Sequence, residues 1–324
     1  MDEPSRLPHD RLALVTKVAR LYHERGLRQP EIAQRLSMSQ ARVSRLLKEA
    51  VTLGIVRTVV IPPAHVFTDL EEALCDRYGL KDAVVCDYVE DEGPALLSSI
   101  GAAAGVYLET TLKSTDRVGI SSWSETLLAA VDAMTPRTVR TAEYVVQAIG
   151  GVGNPTAQVL ATRLASRLAQ VTGGKPRYLA APGVVASAHM RDALLAEPYI
   201  KEVADTWHQL TVLIAGLGSL TPSPLLEQSG NIVSTADMDV LRAQGAVGDM
   251  CLHFYDADGN PVGSELDERL VGIDIPTLRA VPRRIAVAGG DRKFDSILAA
   301  ARGGWMTVLI TDARTAERMM AAPQ

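Results

Sequence analysis

The chain has 324 residues, room for two or three domains of roughly 100–200 residues each, which excludes a mini-protein or a lone small module. With 47% apolar and 22% charged residues it reads as globular rather than disordered, and its longest apolar runs, such as 211–217, fall far short of the roughly 20 residues that span a bilayer. The net charge of −5 hides an asymmetry: residues 1–60 hold eleven Lys/Arg against six Asp/Glu, whereas 61–324 hold 22 against 32, the distribution expected when a small module meets a polyanion and a larger one does not.

The N-terminal segment MDEPSRLPHD has no apolar stretch after a basic start, so nothing marks it for export and a cytoplasmic location is expected. Cys75, Cys86 and Cys251 are odd in number and lack a CxxC pair, which suits reduced thiols better than disulfides or a zinc site. The first predicted helix covers 10–25, where Leu12, Val15, Ala19 and Tyr22 recur at helical spacing before Gly26. A second, short helix opens at Pro30, whose missing N–H costs nothing there, and buries Ile32, Ala33 and Leu36. After Ser37-Met38, Ser39 is a good N-cap for a third helix to about Leu53, with Val43, Leu46, Leu47 and Ala50 as its core stripe. Its other face offers Gln40, Arg42, Ser44, Arg45 and Lys48. Two helices joined by a tight turn, the second presenting such a face, form a helix-turn-helix that can reach base edges and phosphates. Residues Ser39, Gln40, Arg42, Ser44, Arg45 and Lys48 are therefore the DNA-binding candidates. Arg and Gln suit guanine and adenine edges, while Ser44 and Lys48 suit phosphate. The β-branched run 55–61 reads as a short strand, a candidate wing, leading to Pro62-Pro63. The expected division is a DNA-binding domain over 1–61, a linker over 62–66 and a larger domain over 67–324.

Beyond Phe67, apolar runs alternate with helical segments. Strands are predicted at 83–86, 117–121, 144–149, 177–181, 210–215, 251–255, 284–288 and 306–311, with helices at 94–112, 125–134, 156–171, 236–243 and 291–301. That alternation predicts βαβ units and a doubly wound, mostly parallel sheet. Small residues follow six of the strands: Ser121-Ser122-Trp123-Ser124, Gly150-Gly151-Val152-Gly153-Asn154, Pro182-Gly183, Gly216-Leu217-Gly218-Ser219, Gly289-Gly290 and Thr311-Asp312. At the carboxyl ends of parallel strands such turns let backbone amides approach a polar ligand, so they predict one shared pocket. No GxxxxGK[ST] occurs, and each GxG lacks the third glycine of a dinucleotide fingerprint. No HExxH or Gly-x-Ser-x-Gly occurs either, so no cofactor, metal or nucleophile elbow is expected. Asp249, after Gly245-Ala246-Val247-Gly248, can accept from sugar hydroxyls, and Lys293, just after Gly289-Gly290, can pair with an anion at a helix N-terminus.

The ordered set RQPEIAQRLSMSQARVSRLLKEAVTLGIV, VGISSWSETL, QAIGGVGNP, GAVGD, HFYDADGNPV, AVAGGDRKFDSILAAARGG and LITDARTAERM resembles the SorC family of sugar-binding transcriptional regulators, along nearly the whole chain. The resemblance implies a helix-turn-helix domain and an effector domain shaped like sugar-phosphate isomerases. It places Ser122, Ser124 and Thr126 in a loop holding the ligand phosphate or an equivalent polar end. Gly150 and Gly151 fall in a second ligand loop, Asp249 faces sugar hydroxyls and Lys293 lies near the phosphate. Two positions depart from the family pattern: Trp123-Ser124-Glu125-Thr126 stands where Trp-Gly-x-Thr is common, and Ile149 where an Arg is common. Both weigh against a phosphorylated ligand, so an unphosphorylated sugar or polyol competes with a sugar phosphate as the expected effector. The expected partners are a double-stranded DNA operator and a carbohydrate effector, with a homodimer or homotetramer to read paired half-sites. The rival readings are a sugar-phosphate isomerase or deaminase with a basic appendage, and a protein-docking scaffold.

Overall fold

A computed structural model describes residues 9–56, 65–87, 93–136, 138–221 and 234–323. They fall into two compact units, 1–62 and 63–324.

In the first unit, α1 (His9–His23), α2 (Gln29–Arg35) and α3 (Gln40–Thr52) surround a core of Val15, Val18, Leu21, Ile32, Val43, Leu46 and Ala50. The α2 start is fixed by Pro30 in its first turn and by the Glu31 carboxylate, which accepts the Arg28 amide at 2.7 Å. Ser37 turns the chain at φ 51°, and the Ser39 hydroxyl caps α3 by accepting the Arg42 amide at 3.3 Å. The predicted first and third helices each run a residue or two too long, and the predicted wing falls largely at 57–61, outside the described residues.

Among the described residues of the second unit, seven parallel strands form one sheet in the order β1-β10-β9-β5-β2-β3-β4: β1 (Asp82–Cys86), β2 (Arg117–Ile120), β3 (Tyr144–Gln147), β4 (Lys175–Arg177), β5 (Val212–Ala215), β9 (Arg283–Val287) and β10 (Val308–Asp312). Alternation along the buried strands divides their side chains between two cores. Leu213, Ala215, Ala286 and Leu309 face one, with Leu74 of α4 (Thr68–Tyr78), Ile297 of a helix at Phe294–Arg302 and Met319 of a helix at Ala313–Ala321. Val212, Ile214, Ile285, Val287 and Ile310 face the other, with Ile100 and Leu108 of α5 (Pro94–Thr111), Leu127 of α6 (Glu125–Ala133) and Leu168 of α7 (Pro155–Thr172). Helices on both faces make the sheet doubly wound, and each fully buried side chain such as Leu213 stabilises it by about 1.5–3 kcal/mol.

A second sheet was not foreseen. β6 (Leu217–Ser219), β7 (Ala246–Met250) and β8 (His253–Asp256) pair antiparallel beyond the end of β5. Two predicted features are thereby corrected. Gly216–Ser219 is not all turn, and the strand expected at 251–255 begins with a turn, since Cys251 (φ 56°) and Leu252 (φ 63°) form the two-residue loop of the β7–β8 hairpin. Positive φ at both loop positions matches the twist of a hairpin, a geometry usually given to Asn-Gly rather than Cys-Leu. The strand expected at 177–181 also shifts, to Lys175–Arg177. Beyond Arg177 the Gln147 side chain replaces the ladder, its Oε1 accepting the Leu179 amide at 2.9 Å.

Candidate functional site

On α3, at 100° per residue, Arg45 and Lys48 point directly away from the core stripe, Gln40 and Ser44 flank them on one side and Arg42 on the other. All are exposed except half-buried Ser44. Arg11 of α1 grips Glu49 through two bonds, of 2.9 and 3.2 Å, neutralising the acid on this helix and bracing it against α1. The helix thus presents an uncompensated positive, hydrogen-bonding surface on a rigid support.

In the second unit a cavity of about 370 Å³ opens at the carboxyl ends of β2, β5 and β9. Ser121 follows β2, and Ser124 caps α6, its hydroxyl accepting the Leu127 amide at 3.2 Å. Gly216 follows β5, and Gly289-Gly290 follow β9. One wall is apolar, from Leu96, Leu97 and Ile100 of α5; the second sheet supplies Gly218, Asp249, Cys251 and Leu252. Asp249 lies within β7, rather than ahead of a strand, opposite Gly218 of β6. A Cβ on Gly218 would sit 1.9 Å from Asp249 Oδ1, so the glycine makes the space that the carboxylate occupies.

Asp249 is buried, and desolvation raises its carboxyl to about 6, against the opposing pull of the Leu252 amide, Lys293 and His253. Its Oδ2 accepts that Leu252 amide at 2.9 Å, which steadies the left-handed turn. Lys293 ends a short 3₁₀ turn, Asp291–Lys293, and is half-buried. Burial, then Arg292, lower its ammonium to about 8, while Asp249 and Glu125 act to raise it. Its backbone amide donates to the Gly290 carbonyl at 3.1 Å, but among the described residues its ammonium makes neither a hydrogen bond nor an ion pair. A carboxylate and an ammonium therefore share one cavity without being joined, leaving donors and acceptors free for a polar ligand. His253, by contrast, is satisfied at both ring nitrogens, by Asp267 at 3.1 Å and the Ile273 carbonyl at 2.7 Å.

The structure gathers Ser124, Thr126, Asp249 and Lys293 around this cavity, together with Glu125 and Ile149, the two departures from the family pattern. It does not bring Ser122, Gly150 or Gly151 to the lining. The Ser122 hydroxyl points back to the Ile149 carbonyl at 2.8 Å. Gly150 lies where a Cβ would be 2.2 Å from the Pro182 carbonyl oxygen, and one on Gly151 would meet Gln147 Nε2 at 2.6 Å; both glycines permit close loop packing. Of the six small-residue turns, those after β2, β5 and β9 reach the cavity, whereas Pro182-Gly183 and Thr311-Asp312 do not. Trp123, the α5 wall and Cys251-Leu252 were missed as lining residues. Trp123 stood in plain view beside its serines, but no sequence signal marks which face of α5 is turned to the cavity or that Cys-Leu forms a hairpin loop.

A helix-turn-helix with a basic outer face, followed by a parallel α/β domain with a polar cavity at its strand ends, defines a ligand-responsive DNA-binding regulator. The chain belongs to the SorC family of sugar-binding transcriptional regulators: residues 63–321 match the family model described as "Putative sugar-binding domain". It is 30% identical to the deoxyribonucleoside regulator of Bacillus subtilis over 314 residues, 97% of this chain and 99% of that one. It is 29% identical to the erythritol catabolism regulatory protein of Brucella abortus over 318 residues, 96% of this chain and 97% of that one. The full-length sorbitol operon regulator of Klebsiella pneumoniae superposes with a TM-score of 0.70 at 26% identity, over 96% of this chain and 99% of that one. The protein is a DNA-binding transcriptional regulator under carbohydrate control. Among the described residues no helix is long and apolar enough to cross a membrane.

Proposed function

We propose that the effector is an unphosphorylated sugar or polyol held in the cavity at the ends of β2, β5 and β9. The observation that carries this is the charge balance there: Asp249 and Glu125 stand against Lys293 and Arg292, without the cationic surplus that a phosphate dianion requires. Asp249 accepts from one pair of hydroxyls, while Lys293, Ser124 and Thr126 serve the other end of the ligand. Apolar Leu96, Leu97, Ile100 and Ile149 cover its carbon face. The effector is bound and released unchanged. A raised carboxyl beside a lowered ammonium is also what an acid–base pair looks like, so the isomerase rival keeps a specific footing and predicts turnover of sugar phosphates.

The regulator acts in the cytoplasm as a homodimer or homotetramer, its α3 helices reading paired half-sites through Ser39, Gln40, Arg42, Ser44, Arg45 and Lys48. Effector binding must differ in free energy between DNA-competent and DNA-incompetent states to switch anything. The test is a melting panel of sorbitol, erythritol, ribose, deoxyribose 5-phosphate and fructose 6-phosphate, because a ligand of the native state raises its apparent stability. A shift with a neutral compound, lost in Lys293→Met and Asp249→Asn, supports the reading. A shift confined to phosphate esters overturns it, and conversion of fructose 6-phosphate establishes the enzyme.

A further inference from the structure

The loop carrying Lys293 is held in place by the C-terminal helix, α14 (Ala313–Ala321). Asp312, fully buried, ends β10 and caps this helix: Oδ1 accepts the Thr315 amide at 2.9 Å, and Oδ2 accepts the Thr315 hydroxyl at 2.7 Å and the Gly290 amide at 2.9 Å. The Gly290 amide also reaches Thr315 Oγ1 at 3.2 Å. A Cβ on Gly289 would meet Asp312 Oδ2 at 2.3 Å, so loop and carboxylate are fitted to each other. One residue further, the Asp291 carboxylate is taken by Arg318 at 2.6 Å and Arg314 at 3.0 Å. Arg318 also lies over the Phe294 ring, 3.7 Å from its centroid. The residues on both sides of Lys293 are thus fastened to α14, although Lys293 itself is not.

The far end of α14 is fastened to α4. The Tyr78 hydroxyl donates to the Met319 carbonyl at 2.6 Å, and the Arg77 guanidinium donates to the carbonyls of Met320 and Ala322. These carbonyls lie at the helix end, where intrahelical partners run out; that of Met319 keeps only a long bond, 3.4 Å, from the Ala322 amide. Register ties the same two elements a second time: β1 pairs with β10, Cys86 opposite Asp312, and Glu71 of α4 accepts the Val85 amide of β1 at 2.9 Å. In chain order α4 is the helix that follows the DNA-binding module.

We propose that Asp312 and Thr315 are positioning residues for the effector site, and that α14 links the Lys293 loop at one end to α4 at the other. Bonds at both ends of a nine-residue helix, about 13 Å long, make it a strut. A ligand that shifts Lys293 shifts the anchor at Gly290 and Asp291, and with it the carbonyls that Arg77 and Tyr78 hold. Its regulatory use rests on the cavity being the effector site.

The test is amide hydrogen exchange on the full chain for wild type, Thr315→Val, Arg77→Met and, as the milder partner at the α4 end, Tyr78→Phe. Arg163→Met, which removes a surface ion pair with Asp132, is the control. Arg77→Met or Tyr78→Phe should speed exchange of the Gly290 amide and its neighbours to Phe294 severalfold, and Thr315→Val should do the same to the last turn of α4, with Arg163→Met changing neither. Responses confined to the mutated end overturn the link. Exchange needs no ligand, so it fails separately from the melting panel on wild type: a silent panel with linked exchange sinks the effector reading, and a sugar-dependent shift with unlinked exchange sinks the strut.

Discussion

The Ser122 hydroxyl donates to the Ile149 carbonyl at 2.8 Å, fastening the loop after β2 to the loop after β3 behind the cavity wall. Ser122→Ala leaves that buried carbonyl without its partner and should lower stability by about 1–3 kcal/mol. Effector affinity should stay within about twofold, since the hydroxyl faces away from the lining. Urea unfolding gives the first quantity and the effector-induced melting shift the second; a lost shift in a folded variant would return Ser122 to the site.

Gly218→Ala should act in the opposite way. Its new methyl group would lie 1.9 Å from Asp249 Oδ1, and the carboxylate must swing aside, at a cost of about 1–3 kcal/mol. Effector affinity should fall at least tenfold while the far-ultraviolet circular dichroism stays native. Calorimetric titration with the compound that shifts wild type measures it, and unchanged affinity would remove Asp249 from the binding set.

Asp249 also sets a pH dependence. Its carboxyl is raised to about 6 when folded, so between its ordinary value and 6 the folded chain binds the proton more tightly. This contribution favours folding at low pH and is lost as pH climbs through 6. Asp249→Asn keeps an acceptor for the Leu252 amide without the buried charge. It should raise stability by about 1–3 kcal/mol at pH 7.5, an advantage that fades as pH falls through 6. Lys293, lowered to about 8, opposes folding below that value, and its penalty is relieved as pH rises from 8 toward its ordinary value. Melting temperature should therefore rise in wild type over that alkaline range, and Lys293→Met should flatten the rise.

On the DNA side, Arg42→Ala/Arg45→Ala should weaken binding to a duplex selected from a random pool. It should also reduce the slope of log affinity against log salt by about 0.9 for each phosphate contact removed. Anisotropy titrations at several salt concentrations measure both. An unchanged slope with weaker binding would mean that both arginines read bases rather than backbone.

Periodicity carried the elements whose faces are regular. Val43, Leu46, Leu47 and Ala50 marked α3, because it buries one predictable face, and unbroken apolar runs marked β2, β5 and β10 near their observed limits, because they are buried on both. The second sheet was illegible for the opposite reason: Leu217–Ser219 is short and glycine-bearing, and the hairpin turn at Cys251-Leu252 lacks any Asn or Gly. Its strands are stabilised by tertiary packing, as where the Tyr255 hydroxyl meets Ser296 Oγ at 2.9 Å. For the site, Asp249 and Lys293 were readable from chemistry and neighbouring glycines. Gly150 and Gly151 were not separable from ligand-loop glycines, because close packing against Pro182 and Gln147 writes the same residue type.

The strand order places the first strand of the larger domain beside the last: β1 is an edge whose neighbour is β10, more than 200 residues later in the chain. On the ribosome, β1 must therefore wait, without this neighbour, until more than 200 further residues have been synthesised. Contacts of such sequence separation slow folding and expose apolar edges meanwhile. The DNA-binding module, whose contacts are local, suffers no such delay. Newly made chains should thus pass through a stage at which the DNA-reading helices are formed while the domain that controls them is still open.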